Sequence, residues 1–548
     1  MDDFNTAALL IRDRKIQPLP TMTTTKAYNR EKAQYLQHFR PSTDPSARSG
    51  NTEEIRMTPL FTLSVQHAVD RGCQPRGLFP QFGLLGKTLV SVGKDANDTY
   101  QASLTNPSNP SHPFQTPDEE PIFLNTNAPN SVFLCGSQGS GKSYTLTCLL
   151  EACLRPAPNL ITLPQPLSAL VFHYDANGGG TTSTVAEAAS LAAPDLPVRV
   201  LVPTSNYHAL RAAYAALPAG KHITVSRLTF HDGDLNAERM LRLMAFSDSD
   251  GPVPLYMEVV QRILRQRAMD GKPFCFADFE AELDAEALLP GQRNMMDLRF
   301  DLLKSFLAEA PPLRNARAAA GRGGLRKGGL TGGATPFVPV KKAGKGGSDG
   351  ESSSMFATKP GTLTIMDLSD PFIDPATACV LFDVCLGLAK QFRPPTGMVL
   401  AIDEAHKFLG SRTAGAAKLT EQLVLAIREQ RHNAMRVFIA TQEPTVSETL
   451  LDLCSISIVH RFSSPAWFGV LEGHLGGASK MVVGEVERRE MFEAIGGLGV
   501  GEALVFSPAS FVRVRQGGQV GKLGAGFVRM LTRSRVGVDA GRSEMAVG

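Results

Sequence analysis

A glycine-rich run at residues 136–143, GSQGSGKS, has the spacing G-x-x-x-x-G-K-S of a phosphate-binding loop. Glycines let the backbone curl so that successive N–H groups point inward at a phosphate, and a following helix adds the positive end of its dipole. Lys142 would then reach the β- and γ-phosphates, and the Ser143 hydroxyl would hold Mg²⁺. The residues predicted to bind the nucleotide are Gly136, Ser137, Gln138, Gly139, Ser140, Gly141, Lys142, Ser143 and Tyr144.

A pair of carboxylates much later in the chain is the predicted second half of the site. Residues 398–402 form an apolar run that ends in Asp403 and Glu404. At the carboxyl end of a parallel strand beside the loop, Asp403 would hold Mg²⁺ together with Ser143. Glu404, one residue further on, would polarise the attacking water.

A third apolar run supplies a polar amide. Residues 437–440 lead into Thr441 and Gln442, so the Gln442 amide would stand at a strand end next to the γ-phosphate. There it could position water and report the loss of the phosphate. Gln442 is therefore the predicted sensor.

These side chains need a sheet that gathers its strand ends at one edge. Apolar residues 131–135 precede the glycine-rich loop, and a helix-like segment follows it. Short apolar runs at 167–174, 198–202 and 363–367 are typical of buried parallel strands. The predicted fold class is α/β: a P-loop NTPase core with a mostly parallel sheet, an all-helical insertion, and disordered N-terminal and internal basic segments.

Changes in composition along the chain predict seven segments. The N-terminus is polar, and residues 311–348 are rich in Gly, Arg and Lys without Asp or Glu, which indicates a flexible insertion or a phosphate-contacting arm. The predicted boundaries are 1–57, disordered tail; 58–121, small lead-in and loop; 122–206, first part of the core; 207–310, helical insertion; 311–358, flexible basic insertion; 359–508, second part of the core; and 509–548, C-terminal extension.

Composition limits the class of protein. The 548 residues carry a formal net charge of +3, which is too small to indicate a polyanionic partner by itself. The eight cysteines include no C-x-x-C pair, which favours reduced thiols and hence a cytoplasmic or nuclear protein. No apolar run approaches the ~20 residues that cross a bilayer, and the N-terminus is acidic, so we expect a soluble, intracellular chain with no membrane partner.

Other nucleotide-binding classes fit the motifs less well. The string DEAH at residues 403–406 occurs in two-lobed RNA helicases, but only 142 residues follow it, too few for a second lobe. The Ser-Ala-Thr motif of those helicases is also missing where Ala440, Thr441 and Gln442 stand. A GTPase would need an N/T-K-x-D motif and an ABC transporter would need LSGGQ, and the sequence contains neither.

The order of motifs resembles the HerA/FtsK superfamily of ring-forming P-loop ATPases, which have a RecA-like core. The resemblance rests on residues 136–143, VLAIDEAHKF at 399–408, REQR at 428–431, FIATQEPT at 438–445 and IVHR at 458–461, and it covers residues 122–202 and 361–508. It implies ATP and Mg²⁺ as ligands. The implied roles are phosphate and Mg²⁺ binding by Lys142 and Ser143, Mg²⁺ binding by Asp403, catalytic base for Glu404 and sensor for Gln442.

The resemblance also implies assembly and a partner. Members typically form hexamers that pump DNA through a central pore, and an arginine from the neighbouring subunit completes each site. Arg428, Arg431 and Arg461 are the candidates for that arginine. The sequence therefore favours an ATP-hydrolysing DNA translocase or helicase-like motor. The alternative is an ATP-dependent switch or scaffold that does not move on nucleic acid, and a nucleotide or small-molecule kinase fits least.

Overall fold

The computed structural model describes residues 48–72, 77–92, 119–176, 185–244, 255–271, 273–308, 355–410, 413–474, 485–514 and 519–537. The chain divides into two compact units, Met1–Arg56 and Met57–Gly548. In the first unit, helix α1 spans Arg48–Arg56, within the segment predicted to be disordered. An i,i+3 ion pair between Glu53 and Arg56, 3.9 Å apart, supports its last turn. Residues 48–56 at the end of the predicted tail are therefore helical, and its first 47 residues lie outside the described ranges.

One large sheet runs through the second unit. Within the described residues it contains sixteen strands. They are β1 (Leu60–Thr62), β2 (Phe82–Val92), β3 (Pro121–Leu124), β4 (Ser131–Cys135), β5 (Ile161–Thr162), β6 (Ser168–His173), β7 (Val198–Val202), β8 (Ile223–Arg227), β9 (Leu363–Asp367), β10 (Met398–Ile402), β11 (Met435–Thr441), β12 (Ile456–His460), β13 (Glu502–Phe506), β14 (Phe511–Val514), β15 (Val520–Lys522) and β16 (Phe527–Thr532).

Helices connect these strands and cover the sheet. They are α2 (Leu63–Gly72), α3 (Lys142–Leu154), α4 (Tyr207–Ala215), α5 (Ala237–Met244), α6 (Leu255–Asp270), α7 (Phe276–Asp284), α8 (Pro290–Lys304), α9 (Pro375–Gln391), α10 (His406–Leu409), α11 (Ala414–Arg428), α12 (Gln430–Asn433), α13 (Glu448–Leu453), α14 (Pro465–His474) and α15 (Glu485–Gly496). Among the described helices, none combines the length and the apolar character needed to cross a bilayer.

The half of the sheet that positions the candidate site is parallel. Its strand order is β12-β4-β11-β10-β6-β9-β7-β8, and every residue of β4, β6, β10 and β11 is buried. The register pairs Cys135 with Thr441 and Ile402 with Ile439, so β4, β10 and β11 end at the same edge. This arrangement confirms the predicted α/β fold with a mostly parallel sheet.

The other half of the sheet is mainly antiparallel and contains segments predicted to lie outside the core. Strand β13 pairs with β12, β16 pairs with β13, and β2 pairs with β16, each antiparallel. Strands β14 to β16 come from the C-terminal extension at 509–548, and β1 and β2 come from the lead-in at 58–121. Both segments therefore complete the sheet instead of standing apart from it, because their apolar side chains bury against the core.

The interval 207–310 is not all-helical as predicted. Strand β8 pairs in parallel with β7 and extends the sheet by one strand before α5 begins. Ile223, Thr224 and Val225 are β-branched, which suits a pleated strand, although none of the five residues of β8 is fully buried. The basic insertion predicted at 311–358 lies outside the described residues up to position 354.

Two hydrophobic clusters line the two faces of the parallel half. Phe133 of β4 belongs to one cluster, whereas its neighbours Val132 and Leu134 belong to the other, as the alternation of a strand requires. The seven cysteines within the described ranges are free thiols, and five of them are buried. The core is therefore held by packing on both faces of the sheet.

Candidate functional site

The glycine-rich loop leaves β4 and runs directly into α3, as the sequence predicts. Gly136, Gly139 and Gly141 have φ angles of 153°, 72° and 107°, values that favour glycine. A Cβ added to Gly136 would lie 2.7 Å from the Cβ of His460 and 2.8 Å from the Ser140 hydroxyl. Glycine is therefore required there both by backbone conformation and by space.

Hydrogen bonds anchor the loop to the ends of neighbouring strands. The Ser137 amide and hydroxyl donate to the carbonyl oxygen of Arg461 at 2.8 and 2.9 Å, just after β12. The Gly501 amide, just before β13, donates to the carbonyl oxygen of Ser140 at 3.2 Å. The loop is thus supported on the side of the sheet where β12 and β13 lie.

Lys142 is a poorly solvated cation. Its ammonium donates to the carbonyl oxygen of Ser137 at 3.0 Å. Burial lowers the pKa of Lys142, while the charges of Glu404 and Asp403 act in the opposite direction. A buried ammonium that has lost water favours an anionic partner, so this side chain suits a phosphate group.

Asp403 and Glu404 lie at the edge of the sheet where the loop begins. Only β11 separates β10 from β4, and neighbouring strands are about 4.8 Å apart, so the two strand ends are about 10 Å apart. Asp403 is 5% exposed, and burial raises its pKa to about 6, opposed by the charge of His173 and supported by that of Glu404. The geometry therefore brings both carboxylates close to Lys142.

Glu404 has a strained backbone and a shared carboxylate. Its φ angle is 52°, in the left-handed region that residues with a side chain seldom adopt. Gln442 Nε2 donates to Glu404 Oε2 at 3.0 Å, and His406 Nδ1 lies 3.3 Å from the same oxygen. Burial lowers the pKa of His406, and the Glu404 charge opposes that effect. The predicted base and the predicted sensor are therefore in direct contact.

His406 was not predicted to take part in the site. It entered the sequence argument only as the last letter of DEAH at 403–406. Its position two residues after Glu404, in the first turn of α10, is the signal that could have identified it. The left-handed backbone of Glu404 and the start of α10 at His406 bring the imidazole to the carboxylate.

The three candidate arginines do not enter this pocket. Arg428 ends α11, Arg431 lies in α12, and Arg461 follows β12, and all three are exposed. Within the described residues none of them forms an ion pair, and Arg461 contacts the loop only through its backbone carbonyl. Their predicted role at a neighbouring subunit stays a prediction.

A cavity of about 610 Å³ joins the loop to residues that the sequence did not indicate. A cavity of this size can hold a cofactor-sized ligand. Its lining residues are Gln138, Gly139, Gly141, Lys142, Ser143, Tyr144, Glu187, Glu404, Val500, Gly501, Leu531, Thr532, Arg533 and Ser534. Residues 531–537, which we name the C-terminal strap, supply one wall.

Ionic contacts fasten the C-terminal strap to α3. Arg533 and Glu151 form a buried ion pair at 2.8 Å, and the amides of Val536 and Gly537 also donate to the Glu151 carboxylate. Arg535 bonds to Glu187, and its guanidinium lies 4.2 Å from the ring centroid of Tyr144. The apolar residues of β16 could have predicted a strand, but no sequence signal placed it beside α3.

The residues present fit a nucleotide with its metal. The glycine positions leave room for a ligand close to the backbone, and Ser143 and Asp403 could hold Mg²⁺. Among the described residues, no group of three or more His, Cys, Asp or Glu side chains is placed to bind a metal. That donor set suits Mg²⁺, which takes few protein ligands and the remaining ones from water and phosphate.

No protein-family model matches the chain, and no curated protein matches it. Among solved structures, VirB4 of Thermoanaerobacter pseudethanolicus is 10% identical, with 83% of this chain and 98% of that chain covered and a TM-score of 0.40. B204, the DNA-packaging ATPase from Sulfolobus turreted icosahedral virus, is 17% identical, with 29% of this chain and 68% of that chain covered and a TM-score of 0.21.

The genome-packaging NTPase B204 from Sulfolobus turreted icosahedral virus 2, in complex with ATP-gammaS, is 14% identical, with the same coverages and a TM-score of 0.20. At these TM-scores the likenesses carry no weight for function, which is argued from the site itself. In this chain β4 carries the glycine-rich loop, β10 carries the carboxylates, and β11 lies between them. The chain therefore has a mixed α/β fold in which the glycine-rich loop and the carboxylates follow strands that are separated by one parallel strand.

Proposed function

We propose that this protein binds ATP with Mg²⁺ and hydrolyses the terminal phosphate. The observation that carries the proposal is the meeting of Lys142, Ser143 and Glu404 on one cavity. Asp403 is buried beside them, and Gln442 donates a hydrogen bond to Glu404. A loop alone could bind phosphate passively, but a carboxylate that is oriented toward the same cavity adds a group able to accept a proton from water.

Each side chain has its own task in this proposal. Lys142 would neutralise phosphate oxygens, and its low solvation strengthens that interaction. Ser143 and Asp403 would hold Mg²⁺, which supplies positive charge to the phosphates when bound. Glu404 would accept the proton of the attacking water, while the Gln442 amide keeps its carboxylate in place.

We further propose that the chain works as a subunit of a ring that moves DNA. The support is the motif order that resembles HerA/FtsK ATPases, together with the exposed positions of Arg428, Arg431 and Arg461. Exposed guanidiniums that lack an ion partner among the described residues are available to a neighbouring subunit. An ATP-dependent switch or scaffold is the alternative, and it requires no stimulation by nucleic acid.

Measurements of steady-state ATP hydrolysis and of ATP affinity test the proposed ATPase. Repeating them with duplex DNA tests the proposed movement on DNA. The Glu404→Gln variant should retain ATP binding and lose turnover by about 10²–10⁴-fold, because it keeps the shape of the side chain and removes its basicity. Lys142→Ala should lose both binding and turnover. Glu421→Gln is the matched control, because Glu421 is exposed on α11 and its one ion pair among the described residues is with Lys418.

The outcomes separate the alternatives. Unchanged turnover in Glu404→Gln would remove Glu404 from catalysis. DNA should raise turnover, and the stimulation should fall steeply with added salt because bound phosphates release counterions. Hydrolysis that DNA leaves unchanged would contradict the translocase and favour the switch.

A further inference from the structure

The cavity beside the phosphate loop has two sides that differ in chemistry. In the sheet order, β11 and β10 lie on one side of β4 and bring Glu404 to the cavity. On the other side of β4, strands β12, β13 and β16 follow, and they bring Val500 and Leu531. The loop therefore lies between a carboxylate side and an apolar side.

Val500 is 69% exposed and is one of the few large apolar side chains among the described residues that are strongly exposed. It precedes β13 by two residues and lines the cavity together with Gly501, whose φ angle of 80° sets the turn. Leu531 lies close by, since its Cδ1 would be 3.9 Å from a Cβ on Gly501. Val500 is exposed and Leu531 is half-buried, and apolar side chains grouped on a cavity wall indicate a ligand with an apolar face.

The C-terminal strap makes this wall rigid. Arg533 is held against α3 by the Glu151 carboxylate, and Thr532 Oγ1 lies 3.0 Å from Thr145 Oγ1. The Tyr144 hydroxyl accepts a hydrogen bond from the Arg535 amide at 2.9 Å. A wall fixed in this way does not need to be ordered when a ligand binds, so binding costs less.

We propose that Val500, Leu531 and the C-terminal strap form a nucleoside subsite that takes the base and ribose of the nucleotide. This inference rests on the proposed function, because the terminal phosphate must point toward Glu404. The nucleoside half then extends to the opposite side of the loop, where the apolar wall stands. The C-terminal extension thereby becomes part of the ligand site and does not serve the sheet alone.

Two probes separate the halves of the site: ATP and inorganic tripolyphosphate, each with Mg²⁺ and measured by calorimetric titration. Val500→Ser should weaken ATP binding by about four- to fifteenfold, because one to two methyl-sized contacts are lost, and should leave tripolyphosphate binding unchanged. Since Val500 is exposed, the substitution should not disturb folding, which thermal unfolding will check. Val514→Ser, at an exposed valine of the distant strand β14, is the matched control.

Each outcome decides one of the two proposals. An equal loss for both probes, or no loss for ATP, in Val500→Ser overturns the nucleoside subsite. Wild-type protein that binds tripolyphosphate as tightly as ATP overturns it as well, while the phosphate site stands. A wild-type protein that binds neither probe contradicts the proposed function and the subsite with it.

Discussion

His460 couples the stability of this protein to pH through its burial next to the phosphate loop. Its Nδ1–H donates to the carbonyl oxygen of Glu502 at 2.9 Å, and Nε2 has no partner among the described residues. Burial lowers the pKa of His460 from 6.5 to about 4, the Glu502 hydrogen bond opposes the shift, and the charge of Lys142 adds to it. The folded protein therefore resists protonation of this imidazole.

The size and the sign of the effect follow from this pKa. As the pH falls below 6.5, the unfolded chain takes up a proton at His460 and the folded chain does not, so unfolding becomes more favourable. The loss continues until the pH reaches about 4, where the folded state is protonated too. A pKa difference of this size corresponds to about 3 kcal/mol of unfolding free energy.

The variant His460→Asn isolates that contribution, because its side-chain amide can still donate to Glu502 but does not titrate. Urea titrations measure the unfolding free energy of both proteins. We expect the difference, wild type minus variant, to fall by about 3 kcal/mol as the pH is lowered from 6.5 to about 4. His208→Asn, at an exposed histidine of α4, controls for the loss of one imidazole. Parallel curves for the wild type and His460→Asn would refute the reasoning.

Two further predictions concern the C-terminal strap and the candidate arginines. Arg533→Met should lower the unfolding free energy by about 3–5 kcal/mol, because it leaves the buried Glu151 carboxylate without its charge partner. The double variant with Glu151→Gln should lose less unfolding free energy than the sum of the two single variants, by at least about 1 kcal/mol. Additive losses would show that the pair is not coupled. Hydrolysis per subunit should fall on dilution as particle size falls, and alanine at one of Arg428, Arg431 or Arg461 should lower turnover by about 10³–10⁵-fold. Constant turnover per subunit across a wide dilution range would contradict a site shared between subunits.

The sequence could predict that the two halves of the site lie close together, because each half follows the end of a buried strand. The loop at 136–143 and the carboxylates at 403–404 each follow a buried apolar run, and parallel strands end at a common edge. Gln442 follows the same rule on the strand between them. The prediction assumed that β4, β11 and β10 are neighbours in the sheet, and the observed strand order shows that they are.

The sequence-based predictions were wrong where tertiary contacts decide the structure of a segment. The strand β8 carries no fully buried residue, so no apolar run marked it within a helical interval. The C-terminal extension looked weakly patterned, yet β16 pairs with β13 and β2 in the middle of the sheet. Pairing between strands hundreds of residues apart depends on tertiary contacts, which composition and periodicity do not record.

By itself, the sequence determined the glycine-rich loop, the Asp403–Glu404 pair and the parallel core, because glycine spacing and apolar runs act within a few residues. Only the tertiary structure decided that Gln442 and His406 share one oxygen of Glu404. It also decided that the C-terminal strap forms a wall of the cavity beside the glycine-rich loop. The contacts of Gln442 and of the C-terminal strap join parts of the chain that are far apart in sequence, so they exist only once the sheet has formed.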